Sequence, residues 1–115
     1  MERPGERLAL IERLDRDGRV RQAAVVHAWP ATVGRGFDND LVLDDPHLAP
    51  SHLRIEPDED GTLRLHVHEN AHNAARLGRQ RVGPGQSAPV PREAWSVGPV
   101  TLRVRWAGEP LAAER

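Results

Sequence analysis

Short runs in which apolar and polar residues alternate recur along the chain. Every second residue is apolar in the runs 62–68 and 100–106. Successive side chains of a β-strand point to opposite faces of a sheet, so each run predicts a strand with one apolar and one polar face. The residues predicted to form the apolar faces are Leu63, Leu65, Val67, Val100, Leu102, Val104 and Trp106.

Turn-forming residues separate these runs. The segment 57–61, Pro-Asp-Glu-Asp-Gly, lies between the runs 52–56 and 62–68, and Asp17-Gly18 lies between the runs 8–14 and 20–27. Both arrangements predict β-hairpins. The ten glycines and ten prolines leave segments of about strand length, which are short for helices, and so favour an all-β domain. The run 7–16 also fits a short amphipathic helix, and periodicity leaves both interpretations open.

The middle of the chain predicts further strands joined by loops. Thr32-Val33 and the apolar stretch 41–43 flank a glycine-rich turn at 34–36. Residues 70–79 contain few strand-forming residues and are predicted to be a long surface loop, the kind of element that commonly carries function. Residues 83–92 are predicted to connect to a short strand at 95–97, because they are rich in glycine and proline.

Composition narrows the function classes. At 115 residues the chain is expected to form one domain over residues 1–106, with residues 107–115 a tail or the start of a linker. The net charge of -1, with acids and arginines interleaved, argues against nucleic-acid and membrane partners. The chain has no cysteine, which excludes disulfides and thiolate sites, and no apolar run approaches the ~20 residues of a spanning helix. We expect a soluble, cytoplasmic protein.

Catalytic and metal-binding motifs are weak. Ser51 and His52 are sequence neighbours, which on a strand would point to opposite faces, and there is no paired-carboxylate or phosphate-loop motif, so we predict no enzyme activity and no cofactor. His66 and His68 share a strand face and could hold a metal with His72 or Glu69. Such a pair is more often a solvated polar face, and we predict no metal site.

Four groups of residues, in this order, resemble the forkhead-associated (FHA) domain, over about residues 32–104. They are the segment 33–46 (Val-Gly-Arg-Gly-Phe-Asp-Asn-Asp-Leu-Val-Leu-Asp-Asp-Pro), His52, Asn73 and Arg81-Val82. They are similar to the family's Gly-Arg turn and Asn-Asp pair, the histidine of its Ser-x-x-His motif, the asparagine of its Asn-Gly loop, and its Arg-Val pair. The resemblance implies a two-sheet antiparallel β-sandwich of the FHA (SMAD/FHA-like) type.

The same resemblance implies a protein-interaction module. Loops at one end of FHA domains recognise phosphothreonine in an extended peptide, and a phosphate with a charge of about -1.5 to -2 needs a guanidinium and several further donors. By resemblance, Arg35, His72 and Asn73 are candidate phosphopeptide-binding residues. Gly34 and His52 are candidate structural residues of the loops. The implied partner is a protein or peptide.

The resemblance is incomplete in the phosphate-binding loops. Ala49 stands where the family has the phosphate-contacting serine, followed by Pro50, and the family pattern Gly-Ser-Thr-Asn-Gly-Thr corresponds to residues 70–75, Asn-Ala-His-Asn-Ala-Ala. A further departure is His68, where the family commonly has an aspartate. Two functions therefore stay open: phosphothreonine binding by an altered pocket, and phosphate-independent protein binding or self-association by the same fold.

Ser51 and Phe37 lie in or beside these loops. The sequence position of Ser51 does not indicate whether its side chain points toward the phosphate-binding loops. Phe37 lies in the loop 34–40 and is a candidate hydrophobic anchor for a partner. Arg35 and Asn73 could also have structural roles without contacting a ligand. Arg35 would then be a surface arginine in a turn, and Asn73 would connect two loops.

Overall fold

The computed structural model describes residues 8–107, which form eleven β-strands and no helix. Residues 108–115 of the predicted tail lie outside the described residues. Among residues 8–107 there is accordingly no helix long and apolar enough to cross a membrane, and the cytoplasmic location stays a prediction. The strands are β1 (Ala9–Leu14), β2 (Val20–Val26), β3 (Ala31–Gly34), β4 (Leu41–Val42), β5 (Leu53–Pro57), β6 (Leu63–Val67), β7 (Ala75–Leu77), β8 (Gln80–Val82), β9 (Ser87–Pro89), β10 (Trp95–Val97) and β11 (Val100–Trp106).

The strands form two sheets that pack face to face. One sheet has the order β2-β1-β11-β10-β7-β8 and the other has the order β4-β3-β5-β6-β9. Within residues 8–107, neighbouring strands run antiparallel except β3 and β4, which run parallel. The all-β, two-sheet sandwich predicted from the sequence is confirmed.

The hydrophobic core lies between the two sheets. The predicted hairpin around residues 57–61 is confirmed as β5 and β6, in which Leu65 and Val67 are buried. In β11 the alternation is also confirmed, with Val100, Leu102 and Val104 buried and Trp106 half-buried. These inner faces remove apolar surface from water, which is the main source of stability for such a sandwich.

The first hairpin is confirmed, and the helical alternative for residues 7–16 is wrong for the described part of that run. Ala9 and Ile11 point into the core, whereas Leu8 is 42% exposed. The leucines at positions 8 and 10 therefore belong to the outer face, opposite to Ile11. Gly18 closes the turn with φ of 80°, a conformation that glycine adopts without steric cost.

Glu12 lies on that same outer face but is only 3% exposed. One carboxylate oxygen, Oε1, lies 2.9 Å from Nη2 of Arg103 and 3.1 Å from Nε of Arg105. Both arginines belong to β11, the strand hydrogen-bonded to β1. Two guanidiniums therefore compensate a carboxylate that has lost most of its water.

Two segments predicted as connections contain strands. Residues 70–79 include β7, which lies between β10 and β8, and residues 83–92 include β9, which pairs with β6. The long-loop prediction holds only for the part before Ala75. Neighbouring strands hold such short pieces in place despite their weak intrinsic preference, because β-propensity depends strongly on tertiary context.

The three tryptophans are packing residues. Trp95 is 3% exposed in the core, and its indole N–H has no hydrogen-bond partner among the described residues. Trp29 and Trp106 meet edge to face at the rim, with ring centroids 5.9 Å apart and planes at 78°. This is a favoured aromatic geometry.

Candidate functional site

Three loops meet at one end of the sandwich. They are the β3–β4 loop (35–40), the β4–β5 loop (43–52) and the β6–β7 loop (68–74). The main-chain N–H groups of Arg35 and Gly36 donate to the carbonyl oxygens of Ala49 and Pro50, each at 3.0 Å. The first two loops are thus joined along their main chains.

Gly34 is required by this close approach. A Cβ atom at Gly34 would overlap the carbonyl oxygen of Pro50, and the residue does not adopt a positive φ. The sequence predicted a structural role for Gly34 through the geometry of the turn. The physical reason is different: the β4–β5 loop passes where a side chain would be.

Asn39 fixes the β3–β4 loop. Its amide nitrogen donates to the carbonyl oxygens of Gly36 and Pro50, both at 2.7 Å. Asp40 accepts from the N–H of Thr32 at 2.8 Å, and its own N–H donates to the Thr32 hydroxyl. An exposed loop is therefore held in one shape by short side-chain bonds.

His52 joins the β4–β5 and β6–β7 loops. The side chain is fully buried, Nδ1 accepts from the N–H of Ala49 at 2.9 Å, and Nε2 lies 2.8 Å from the carbonyl oxygen of Asn73. This pair of partners requires the neutral ring with its proton on Nε2. Burial lowers the pKa of His52, which keeps the ring neutral, while the hydrogen bond to Asn73 partly opposes that shift.

Asn73 makes a second connection between the same loops. Its side-chain amide nitrogen donates to the carbonyl oxygen of His47 at 2.5 Å. Together with the bond from His52, this fixes the β6–β7 loop against the β4–β5 loop through both its main chain and its side chain. Asn73 therefore acts as a brace between loops in this structure.

A cavity of about 490 Å³ opens between the three loops. Its lining includes Ala49, so the position of the expected serine does face the cavity, but with a methyl group. The lining contains one arginine and two histidines and no carboxylate. The lining residues are Arg35, Pro46, Leu48, Ala49, Pro50, Ser51, His68, Asn70 and His72.

Arg35, Ser51 and His72 bring hydrogen-bond donors to this cavity. Nε of Arg35 donates to the carbonyl oxygen of Leu48 at 3.1 Å, which orients the guanidinium and leaves its terminal amino groups unpaired within residues 8–107. The Ser51 hydroxyl and the His72 imidazole also make no hydrogen bond within that part of the chain. All three side chains can therefore donate to a bound anion.

His68 adds a fourth donor. Nδ1 accepts from the N–H of Asn70 at 3.0 Å. In the neutral ring the proton then resides on Nε2, which has no hydrogen-bond partner among the described residues. The departure from the family pattern at this position thus replaces an acid by a group that can donate.

A sequence model of the FHA domain matches residues 31–93, more than half of the chain. The chain belongs to the FHA domain family. The matched segment begins at β3 and ends after β9, so it contains all three loops that line the cavity.

Solved structures share the fold of this FHA domain. The N-terminal FHA domain of Saccharomyces cerevisiae Rad53p, in complex with a phosphothreonine peptide, aligns with a TM-score of 0.69 at 18% identity, over 86% of this chain and 93% of that one. An FHA domain of an Arabidopsis thaliana hypothetical protein aligns with a TM-score of 0.68 at 21% identity, over 92% and 91% of the two chains.

A third similar structure is larger. Mycobacterium tuberculosis EmbR, in complex with a low-affinity phosphopeptide, aligns with a TM-score of 0.70 at 18% identity over 90% of this chain, which covers 26% of EmbR. A comparison with curated proteins gave no match. At these identities the structural likeness shows the fold.

The FHA domain places its sequence-predicted site residues in three settings. Arg35 and His72 line the cavity, whereas Asn73 lies in a neighbouring one. Gly34 and His52 hold the loops together. Their contact with a ligand stays a prediction.

Sequence reasoning missed part of the cavity wall. The direction of Ser51 was not predicted, Asn70 was noted only as a departure from the family pattern, and His68 was noted as such a departure and as a possible metal ligand. All three line the cavity. Only the loop geometry shows that Ser51 faces the cavity. Because a proline precedes it in the loop, the alternation of side chains along a strand does not predict its direction. Within residues 8–107 no three histidine or acidic side chains are grouped to hold a metal.

Proposed function

We propose that this FHA domain is an interaction module, without catalytic activity of its own, that binds a phosphothreonine-containing peptide of a partner protein. The phosphate occupies the 490 Å³ cavity and accepts hydrogen bonds from Arg35, Ser51 and His72. The observation that carries this proposal is the wall of the cavity, which combines unpaired donors with no carboxylate.

The donors suit a phosphate. A guanidinium oriented by its Nε bond to Leu48 presents its remaining N–H groups without having to order a mobile side chain, and this lowers the entropic cost of binding. A dianionic phosphate offers three acceptor oxygens, which match a guanidinium, a hydroxyl and an imidazole.

Ser51 compensates for Ala49 in this proposal. Both residues line the same cavity, so the hydroxyl expected at position 49 is supplied two residues further along the loop. His72 contributes an imidazole in place of the threonine of the family pattern, and His68 adds a donor where the family commonly has an aspartate. A hydrogen bond to a charged group contributes about 1.5–3 kcal/mol, so one relocated hydroxyl preserves a large part of the affinity.

The comparisons support the same ligand class. The Rad53p domain was solved with a phosphothreonine peptide and EmbR with a low-affinity phosphopeptide. Both belong to proteins that share this fold, and the three loops of the cavity lie inside the segment that matches the family.

Calorimetric titration with a phosphothreonine peptide library tests the proposal. A selected peptide should bind the native domain, lose at least tenfold in affinity to Arg35→Gln, and lose a smaller factor to Ser51→Ala. Arg19→Gln, an equal charge change at an exposed position of the β1–β2 turn, is the matched control and should bind normally. The proposal is wrong if no library peptide binds, or if Arg19→Gln weakens binding as much as Arg35→Gln.

A second candidate function is favoured by Phe37. Its side chain is 97% exposed on a loop that Asn39 fixes with two hydrogen bonds. A solvent-facing aromatic residue on a loop held by hydrogen bonds is a typical interface anchor and needs no phosphate. If Phe37→Ala abolishes partner binding while Arg35→Gln leaves it unchanged, the phosphate-independent function is the correct one.

A further inference from the structure

Two arginines face each other across the β7–β8 hairpin. Arg76 of β7 lies directly opposite Arg81 of β8 in the antiparallel register, and both side chains are exposed. Residues directly opposite on one face of a sheet have Cβ atoms about 4.5–5.5 Å apart, and like charges placed there destabilise the pair. The register thus places two like charges opposite each other at this position.

No acidic side chain relieves the repulsion. Within residues 8–107, neither Arg76 nor Arg81 has an ion-pair or hydrogen-bond partner for its guanidinium. The hairpin 75–82 also contains Arg79 and has no aspartate or glutamate. On a chain with a net charge of -1, this hairpin is a local concentration of positive charge.

Ser96 extends the pair into a row. It lies opposite Arg76 on the next strand, β10, so the two arginines and the serine share one face across three strands. The Ser96 hydroxyl makes no hydrogen bond within the described part of the chain. Two guanidiniums and a hydroxyl on one face form a set of donors without an acceptor.

This row borders a second cavity, of about 250 Å³. The cavity is next to the proposed phosphate cavity, because His72 lines both of them. Its polar surface comes from donors and amides, and it too has no carboxylate. The lining residues are His72, Asn73, Ala74, Arg76, Arg81, Ser96 and Gly98.

We propose that Arg76 and Arg81 form a second anion site, which binds an acidic or phosphorylated side chain elsewhere on the same peptide. This inference rests on the proposed function, since the phosphothreonine in the first cavity brings the second anion to the site. Two guanidiniums on adjacent strands can both donate hydrogen bonds to one oxyanion. The negative charge of the anion then relieves the repulsion between the two guanidiniums.

The proposed second site also explains why the β7–β8 hairpin carries positive charge without a counterion within residues 8–107. A like-charged pair without a counterion lowers the stability of the free domain and gains from any ligand that brings negative charge. Such a site binds a peptide with two anionic groups more tightly than a peptide with one. It therefore determines selectivity among phosphopeptides and not the affinity for a singly phosphorylated one.

Binding of a peptide series tests this inference. Starting from the tightest singly phosphorylated library peptide, a glutamate or a phosphoserine is placed in turn at each of the five positions on either side of the phosphothreonine. Affinities are measured by calorimetry for the native domain, Arg76→Gln, Arg81→Gln and the control Arg19→Gln.

The expected result is a gain at one or two adjacent positions only. Two charge-assisted contacts at a partly exposed site should raise affinity about five- to tenfold, and more for phosphoserine than for glutamate. Arg76→Gln and Arg81→Gln should each remove most of that gain and leave binding of the singly phosphorylated peptide within about twofold. Arg19→Gln should keep the gain.

The outcomes separate the two proposals. If the singly phosphorylated peptide binds through Arg35 but no position gives a gain, or the gain survives both substitutions, the second site is wrong and the proposed function stands. If no singly phosphorylated peptide binds at all, the proposed function is wrong, and the second site is overturned with it.

Discussion

Nε2 of His52 lies 2.8 Å from the carbonyl oxygen of Asn73, twenty-one residues later in the chain. This bond and the one from the N–H of Ala49 to Nδ1 use both nitrogens of a fully buried imidazole. His52, the last residue of the β4–β5 loop, thereby joins the two loops that form most of the cavity wall. The shape of the cavity depends on this side chain together with the bond from Asn73 to His47.

Replacing His52 should disturb stability and binding together. His52→Ala leaves a buried N–H at Ala49 and a carbonyl at Asn73 without partners, which should cost about 2–4 kcal/mol of unfolding free energy. Urea denaturation measures this cost. His66→Ala, on the outer face of β6, is the control and should cost less than half as much. Equal costs would contradict a bracing role for His52.

The same residue predicts a pH dependence. Burial lowers the pKa of His52 in the folded state below its ordinary value of 6.5, so the unfolded chain takes up the proton first as the pH falls. Stability should be full above pH 6.5 and decrease as the pH falls from there through the folded-state pKa. Thermal unfolding across this range measures the effect.

His66 needs a separate control in that experiment. Burial also lowers the pKa of His66, which acts in the same direction. In His66→Gln the decrease in stability below pH 6.5 should persist, because His52 remains. A flat profile in this variant would assign the pH dependence to His66 instead.

Restoring the missing hydroxyl should strengthen phosphopeptide binding. Ala49 lines the cavity and is 8% exposed, so Ala49→Ser places a donor on its wall. We expect affinity for a phosphothreonine peptide to rise about three- to tenfold, measured by calorimetry. Ala23→Ser, on the exposed edge strand β2, is the control. If Ala49→Ser leaves affinity unchanged, the side chain at position 49 does not contact the phosphate, and the predicted gain is wrong.

Substitution of Glu12 should lower the unfolding free energy more than substitution of most other charged residues of the outer face. Glu12→Gln removes the charge that Arg103 and Arg105 share, at a carboxylate that is nearly inaccessible to water. The loss should be about 2–4 kcal/mol of unfolding free energy. Glu56→Gln, a more exposed acid with contacts at 3.8 Å, should change stability by less than about 0.5 kcal/mol. Similar losses would show that burial of the carboxylate does not matter.

Removing one member of the facing arginine pair should stabilise the free domain. Arg81→Gln relieves its repulsion with Arg76 and should raise stability by about 0.2–1 kcal/mol at low salt. The gain should shrink as salt is added, because the charges are exposed. Thermal unfolding at two salt concentrations measures it, and a variant less stable than the native domain would contradict repulsion at this pair.

The fold was largely predictable because its strands alternate cleanly. The apolar positions of β6 and β11 identify the core face, and the turns at 17–18 and 57–61 locate two hairpins. The strands β7 and β9 were missed because their sequences, Ala-Arg-Leu and Ser-Ala-Pro, contain few strand-forming residues. Neighbouring strands hold them in place, which local sequence does not encode.

The sequence predicted the residues that hold the loops of the candidate site, but not all of the side chains that line its cavity. Gly34, Arg35 and His52 follow from a motif with fixed spacing, whereas the direction of Ser51 depends on a loop path set by Pro50 and by contacts from another loop. The same limit applies to β1: alternation identifies two faces, and only packing decides that Ala9 and Ile11, rather than Leu8, face the core.

The hydrogen bonds that join the three loops to one another have one property in common: each ends on a main-chain carbonyl oxygen of the β4–β5 or the β6–β7 loop. These oxygens belong to His47, Leu48, Ala49, Pro50, His52 and Asn73. Apart from Arg35, the side chains on the wall make none of these bonds. They can therefore be exchanged while the hydrogen bonds that join the three loops remain.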